Sequence, residues 1–461
     1  MNSLADKSVL VLGLGETGLS LVRWLLVHGA KVRVADSRDA PPALAVLQAH
    51  HPQVEARCGI FRGELLDGIE LIAISPGLSL SEPLVQKALA RGIAVVGDIE
   101  LFAQSLPKEN PPKVIAITGA NGKTTVTSMV GAMCRAAGLD TEVAGNISPA
   151  VLDVLIRRQG KHPDVWVLEL SSFQLETTYT LSADAASVLN ISEDHLDRYS
   201  DMADYIAAKA RIFRCDGRSS VQVLNRDDAE SMAMGLRERL IQTFGVETPP
   251  LAGNDLGIAR EADEIWLVEG SRRLMNAAEL QVAGLHNVSN ALAALALCRA
   301  VGLPMAPLLH ALRAFKGLPH RVEKVAEING VTYYDDSKGT NVGATVAALK
   351  GLGRPTVIIL GGDGKGQDFT PLQNAVTEHV RVAVLIGRDA PKIAEALQEC
   401  GAPLMTARDM NEAVRISAAE AQPGDAVLMS PACASFDMFR DYQHRAEVFV
   451  AAVRALEAGA T

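Results

Sequence analysis

The chain has 461 residues, a length that suggests about three domains at roughly 150 residues each. Hydrophobic residues make up 48% and charged residues 21%, the balance of a globular protein with several cores. A formal net charge of −10 excludes general affinity for nucleic acid or an anionic membrane, so any anionic ligand must be held by local donors.

After Met1 the sequence runs into Val9-Leu10-Val11-Leu12, too short for the core of a secretory signal. The longest apolar run, from Ala291 to Cys298, falls well short of the roughly 20 residues that span a bilayer. Cysteines at 58, 134, 215, 298, 400 and 433 show no paired or metal-ligand spacing and read as free thiols. These features predict a soluble cytoplasmic protein, with monomer as the default state and neither a nucleic-acid nor a membrane partner.

Short β-branched runs recur with helical segments between them: Val9–Leu12, Leu71–Ser75, Val114–Thr118, Val165–Leu170, Ser187–Asn190, Val357–Leu360, Val382–Ile386 and Ala426–Ser430. Several are apolar throughout, as parallel strands buried on both faces are, and the alternation predicts α/β domains. The first strand leads into Gly13-Leu14-Gly15-Glu16-Thr17-Gly18, with Asp36 ending the next strand. This is the dinucleotide fingerprint, but it specifies only a close backbone approach to a diphosphate and an acidic partner for a ribose or base. NAD and a UDP-sugar fit it equally. Ser75-Pro76-Gly77, ending another strand, is a second wall for that pocket.

Pro107-Lys108-Glu109-Asn110-Pro111-Pro112 reads as a linker. The strand Val114–Thr118 then enters Gly119-Ala120-Asn121-Gly122-Lys123-Thr124-Thr125, ahead of a helix predicted over Val126–Ala137. Such a loop holds phosphate oxygens on backbone N–H groups; Lys123 would neutralise the β- and γ-phosphates and the Thr124 hydroxyl would reach Mg²⁺. Only two residues separate Gly119 from Gly122, where the standard motif has four. Glu169, at the end of the strand from Val165, stands where a Mg²⁺ ligand belongs, with a helix-capping role as the alternative. His195 lies among Glu193, Asp194 and Asp197 after a further strand, which favours a metal or substrate role over a structural one. Lys209 falls four residues after Tyr205 and three before Ile212, on the apolar stripe of a helix. By spacing alone that is a lysine snorkelling at a boundary.

The segment from about 219 to 283 reads as β-rich, with a surface loop at 249–257. A second break lies at Lys316-Gly317-Leu318-Pro319-His320-Arg321. Beyond it three strands end in Asp335-Asp336-Ser337-Lys338-Gly339-Thr340-Asn341, Gly361-Gly362-Asp363-Gly364-Lys365-Gly366 and Ser430-Pro431-Ala432-Cys433-Ala434-Ser435. Ligands bind at such strand ends in open α/β sheets. Lys338, Thr340, Lys365 and Ser435 could together hold an acidic small molecule.

With these motifs assembled, the chain resembles the Mur ligases of peptidoglycan synthesis over essentially its whole length, through GANGKTT, ELSSFQLETT, NISEDHLDRY, HNVSNALAALAL, GLPHR, DDSKGTN, LGGDGKG and SPACASFDMF in family order. The resemblance implies an α/β protein of three domains: a Rossmann-like UDP-binding domain (1–110), a central P-loop ATPase domain with a parallel-strand sheet (111–316) and a Rossmann-like C-terminal domain receiving the amino acid (317–461). It implies ATP-dependent addition of D-glutamate to UDP-N-acetylmuramoyl-L-alanine, and UDP rather than NAD at the first loop. By motif match, Thr17, Asp36, Ser37, Arg38, Ser75, Gly77, Asn146 and His195 fall at UDP-muramoyl positions. Asn287, Asn290, Arg321 and Asp336 join Gly119, Asn121, Gly122, Lys123, Thr124 and Thr125 at ATP positions. Thr340, Lys365, Ser435 and Tyr442 fall at D-glutamate positions. Lys209 corresponds to a carbamylated lysine, which reverses the reading from spacing. Two Mg²⁺ ions are implied, one near Thr124 and Glu169, the other near His195 and the Lys209 carbamate, with Lys123, His195 and Lys209 the catalytic set. Glu16 stands where an apolar residue is common in the family, Gly339 where alanine is usual, and Tyr442 where phenylalanine occurs.

Overall fold

The computed structural model describes residues 4–194, 198–214, 220–262, 264–282 and 284–459. Among the described residues the strands form three sheets. The first runs Glu55–Cys58, Lys31–Asp36, Ser8–Leu12, Leu71–Ile74, Ala94–Val96 in spatial order, all parallel. Strand Ser8–Leu12 lies at its centre, and Val9 through Leu12 are fully buried, as a run apolar on both faces requires.

The second sheet continues outward from its central strand Lys113–Thr118, flanked by Val165–Glu169 and Ala185–Val188. Thr141–Gly145 closes one side. Val221–Asn225, Leu240–Phe244 and Leu256–Glu261 extend the other in parallel, and Glu264–Glu269 and Arg272–Asn276 finish it as antiparallel strands. The β-rich reading of this region holds. The predicted surface loop at 249–257 ends sooner than expected, because Leu256 is fully buried and begins a strand.

The third sheet runs Glu323–Ile328, Val331–Asp335, Ala426–Met429, Thr356–Gly361, Val380–Ile386, Leu404–Thr406. Its edge strand Glu323–Ile328 is antiparallel and the rest are parallel. This is the mixed α/β, three-domain architecture expected from the alternation of strands and helices.

The first two sheets share one apolar layer. The helix Asp98–Ser105 brings Phe102 edge-on against Trp166, 5.0 Å between ring centroids, and the cluster runs on through Trp24, Val151 and Leu168. The third sheet is covered by its own clusters, built on residues such as Ile358 and Leu428 on one face and Val357 and Val427 on the other. Polar contacts across the nucleotide loop tie the C-terminal domain to the central one.

Candidate functional site

The site grows from the end of strand Lys113–Thr118. Gly122 adopts φ +81° and caps the helix Lys123–Ala136, which therefore begins three residues before the helix predicted from apolar periodicity. A Cβ on Gly122 would stand 2.5 Å from Asn290 Oδ1, so only glycine lets the loop approach the helix Leu285–Ala300. Asn190 braces the loop from the neighbouring strand end: its Oδ1 accepts from Asn121 N at 2.8 Å, and its Nδ2 donates to Asn121 O at 3.2 Å.

Three lysines converge here. Lys123 Nζ donates to Gly119 O and Ala120 O, both at 2.8 Å. Burial pulls its pKa down; Glu169 and Asp194 act against that shift, Arg321 and Lys365 with it. Lys209 is 2% exposed, so it does not snorkel as its spacing suggested. Its Nζ donates to Gly119 O at 3.0 Å and lies 4.7 Å from the Tyr205 ring centroid. Burial drives the Lys209 pKa well down, and Lys123 adds to the fall. Lys338 Nζ sits 3.8 Å over the Tyr442 ring, and burial, reinforced by Arg321, lowers it to about 8. Glu169 is a counter-charge to Lys123, Lys209, Lys338 and Arg321, and Asp194 to Lys123, Lys209 and Lys365. An acidic chain has gathered positive charge in one cleft, the local arrangement a polyanion needs.

Glu169 is 2% exposed; its Oε1 accepts from Asn146 Nδ2 at 2.9 Å, while its buried Oε2 has no partner. A buried carboxylate oxygen without a hydrogen-bond partner, within electrostatic reach of Lys123 and Lys209, suits a hard cation such as Mg²⁺. His195 lies outside the described residues.

The C-terminal domain reaches over this loop. Arg321 Nη2 donates to Thr124 Oγ1 at 2.8 Å, Asn341 Nδ2 donates to Asn121 Oδ1 at 3.1 Å, and Lys365 Nζ lies 3.7 Å from Asp194 Oδ1. Asp336, buried, accepts from Ser430 Oγ at 2.6 Å; burial lifts it to about 7 against the pull of Ser430 and Arg321. Gly122, Thr125, Asn287, Asn290, Arg321 and Asp336 line a cavity of about 320 Å³. The structure thus brings the four expected adenine-nucleotide residues to one wall with the loop.

The first-domain group gathers separately. Asp36 is 2% exposed and accepts from Leu14 N at 2.7 Å and from Arg38 Nε and Nη2 at 2.8 and 2.7 Å. Burial pushes its pKa up, but Arg38 and the backbone donors outweigh it and hold it at about 2. Ser75 packs on Gly13, where a Cβ would come within 2.9 Å of Ser75 Cβ. Thr17, in the first turn of the helix Glu16–Val27, and Ser37 and Gly77, beside Asp36 and Ser75, lie on the same strand-end loops. Ser148 Oγ donates to Glu16 Oε1 at 2.6 Å, linking this loop to the central domain beyond Asn146.

At the third sheet, Arg445 is buried and donates to Ser337 O at 2.8 Å and Cys433 O at 3.0 Å, while Ser337 Oγ donates to Tyr442 O at 2.7 Å. This network joins the Thr340 loop, the Ser435 loop and Tyr442. Lys365, at φ +52°, lies in the loop that follows strand Thr356–Gly361.

Residues 7–97 match the Mur ligase MurD-like N-terminal domain, 117–298 the Mur ligase middle domain, and 320–433 the Mur ligase glutamate ligase domain. The chain is 61% identical over 460 residues to the UDP-N-acetylmuramoylalanine–D-glutamate ligase of Nitrosospira multiformis, covering 99% of this chain and 97% of that one.

The chain belongs to the Mur ligase family.

The enzyme of the same name from Nitrosomonas eutropha is 56% identical over 457 residues, covering 98% of this chain and 97% of that one. Two solved structures share the Mur ligase fold at low identity. UDP-N-acetylmuramate–alanine ligase from Thermotoga maritima superposes with a TM-score of 0.59 at 19% identity over 97% of this chain and 99% of that one. MurF from Acinetobacter baumannii gives 0.60 at 18% identity over 96% and 91%.

Several residues of this Mur ligase site were not visible as site residues in the sequence. Asn190 had a signal, since it follows a strand beside the nucleotide loop. Asn341 N-caps the helix Val342–Leu352 and doubles as the contact to Asn121, a second use that no local pattern marks. Arg445 is one arginine in a long helix, and nothing in its surroundings in sequence marks it as buried. Among the described residues no helix is long and apolar enough to cross a membrane, and Cys58, Cys134, Cys298, Cys400 and Cys433 are free thiols.

Proposed function

We propose that this Mur ligase joins D-glutamate to UDP-N-acetylmuramoyl-L-alanine at the expense of ATP, in peptidoglycan precursor synthesis. The observation that carries the reading is the convergence of Arg321, Asn341 and Lys365 from the C-terminal domain on the nucleotide loop of the central one. Phosphoryl transfer and amide formation are thereby confined to one cleft. Whole-chain relatives 51–61% identical that carry this ligase name support the choice of amino acid. The domain limits that fit are 1–110, 111–316 and 317–461. A monomer in the cytoplasm, where ATP and UDP-sugars are made, is the form we assign.

A carboxylate is a poor electrophile. ATP first transfers its γ-phosphoryl group to the alanyl carboxylate, giving an acyl phosphate and ADP. The neutral amine of D-glutamate attacks the acyl carbon, and inorganic phosphate leaves as the tetrahedral intermediate collapses. Lys123, now satisfied by the loop carbonyls, turns to the phosphates and neutralises the transferring group. Asn287 and Asn290 hold the adenine nucleotide with Arg321 and Asp336. Thr17, Asp36, Ser37, Arg38, Ser75, Gly77 and Asn146 hold the UDP-muramoyl group; Thr340, Lys365, Ser435 and Tyr442 receive D-glutamate.

Thr124 and Glu169 would hold one Mg²⁺, and His195 with Lys209 a second; when bound, the ions offset charge on the phosphoryl oxygens. Glu169, with its orphaned Oε2, fits that role. Burial lowers the pKa of the Lys209 amine and so favours its neutral form, the form that adds to CO₂ to give a carbamate and one proton. The product replaces a costly buried cation with an anionic ligand.

The experiment is phosphate release with ATP and UDP-N-acetylmuramoyl-L-alanine against a panel of D-glutamate, L-glutamate, L-alanine and meso-diaminopimelate. Stimulation by D-glutamate alone is expected. Stimulation by another member of the panel in its place overturns the assignment.

A further inference from the structure

His286 stands in the first turn of the helix Leu285–Ala300, on the rim of the nucleotide cavity, facing the helix Val342–Leu352 of the C-terminal domain. Gly284 and Gly351 enclose its ring. A Cβ on Gly351 would lie 2.5 Å from His286 Cε1 and 2.6 Å from Nδ1, and one on Gly284 would lie 2.8 Å from Cε1 and from Gly351 Cα. We propose that His286 is a positioning residue that latches the C-terminal domain over the nucleotide by seating its imidazole in the notch between Gly284 and Gly351. The inference rests on reading the cavity as the ATP site.

Three observations support it. The other ties across this cleft are hydrogen bonds and an ion pair, for which water competes when the cleft opens. The His286 seat adds a fit of shape to its backbone hydrogen bond with Ala347, and shape holds only at one distance and angle. The same ring lines the cavity beside Asn287 and Ala347, so closing the seat also forms the nucleotide wall.

The seat also carries a cost. His286 Nδ1 is shielded from solvent and has no hydrogen-bond partner. A buried acceptor left unsatisfied is unfavourable, and opening returns it to water. The latch is therefore weak when the cavity is empty and holds when nucleotide contacts offset that cost. Nucleotide binding and domain closure then strengthen each other by the same factor.

Gly351 makes the test specific. It sits inside a helix with an ordinary negative φ, where alanine is the better helix former, so Gly351→Ala has no reason to weaken the fold. ADP binding with Mg²⁺ by calorimetry, ATP KM and kcat, the ADP-induced fall in radius of gyration by X-ray scattering, and the thermal midpoint are measured for wild type, Gly351→Ala, His286→Ala and the double variant. Each single change is expected to weaken ADP binding by about tenfold, and Gly351→Ala to raise the ATP KM with kcat within about threefold, since closure becomes a smaller fraction of the population. The ADP-induced contraction shrinks in both, and the Gly351→Ala midpoint is not lowered. Once the ring is absent, adding Gly351→Ala costs less than about twofold, the non-additivity of a direct contact. Unchanged ADP affinity and contraction in both single variants overturns the latch, as does a Gly351→Ala penalty that persists in the His286→Ala background. Failure of the wild type to bind ADP would instead overturn the reading of the cavity.

Discussion

Arg321 of the C-terminal domain donates a 2.8 Å hydrogen bond to the hydroxyl of Thr124, in the first turn of the nucleotide-loop helix. The residues are 197 positions apart in sequence. The bond ties a half-buried guanidinium of the C-terminal domain, with Asp336 as its counter-charge, to the loop of the central one, so it reports domain closure.

Replacing Arg321 with methionine removes that charge and leaves Asp336 buried without its cationic neighbour. Truncating one member of a buried charge set costs about 2–5 kcal/mol, so kcat/KM for ATP should fall by roughly 100-fold or more. The KM for the UDP-linked substrate should move less than about twofold. Steady-state kinetics with each substrate varied separately checks the split; an equal loss for both substrates would place Arg321 elsewhere.

Lys209→Ala removes the buried amine that stands 3.0 Å from Gly119 O. Turnover should drop by about 100-fold, the scale seen when support for a metal is lost. With ¹³C-labelled bicarbonate, wild type should show a carbamate resonance that Lys209→Ala lacks. Persistence of that resonance in the variant would remove Lys209 from the role.

Asp98 is 1% exposed, between the first two domains, and burial raises its pKa to about 6 against the Gln174 side chain and backbone donors. A carboxyl raised in the folded state favours folding when protonated. Its contribution is full below the ordinary value of 3.8 and is lost as pH rises through about 6. Asp98→Asn keeps a polar partner for Gln174 without the charge, and should stabilise the protein at pH 8 by up to about 3 kcal/mol. The gain should vanish towards pH 4. Denaturation curves at several pH values test this, and a pH-independent difference would rule the mechanism out.

Lys365 lies 3.7 Å from Asp194 on the far side of the cleft. If its ammonium receives a D-glutamate carboxylate, Lys365→Met should raise the D-glutamate KM by about 10- to 100-fold, the loss of one charge-assisted bond at roughly 1.5–3 kcal/mol. ATP affinity should stay within about threefold. Kinetics at saturating ATP reads this directly.

The nucleotide loop was legible because its chemistry sits on consecutive residues: strand, Gly119, Gly122, Lys123 and Thr124 follow one another, and the helix behind them has its own periodicity. Asp36 was legible for a similar reason, as the residue that ends the strand after a glycine turn. The choice between NAD and UDP was not, since close backbone approach to a diphosphate is common to both. Lys209 could be placed on an apolar stripe, but whether a stripe is buried or only borders the surface depends on what packs against it. Packing of Tyr205, Ile212 and Phe213 under the loop decided that.

By itself, then, the sequence determined what neighbouring residues can do: parallel α/β sheets from uninterrupted apolar runs, phosphate binding from glycine, lysine and threonine in order, and an acidic chain that must hold anions locally. The tertiary structure alone decided that Arg321, Asn341 and Lys365 meet the nucleotide loop, that the first two domains share one apolar layer, and that His286 sits between two glycines. The reason is physical. Hydrophobic patterning and turn geometry act within a few residues of chain, whereas these contacts join elements far apart in the chain and arise only when separately folded surfaces fit.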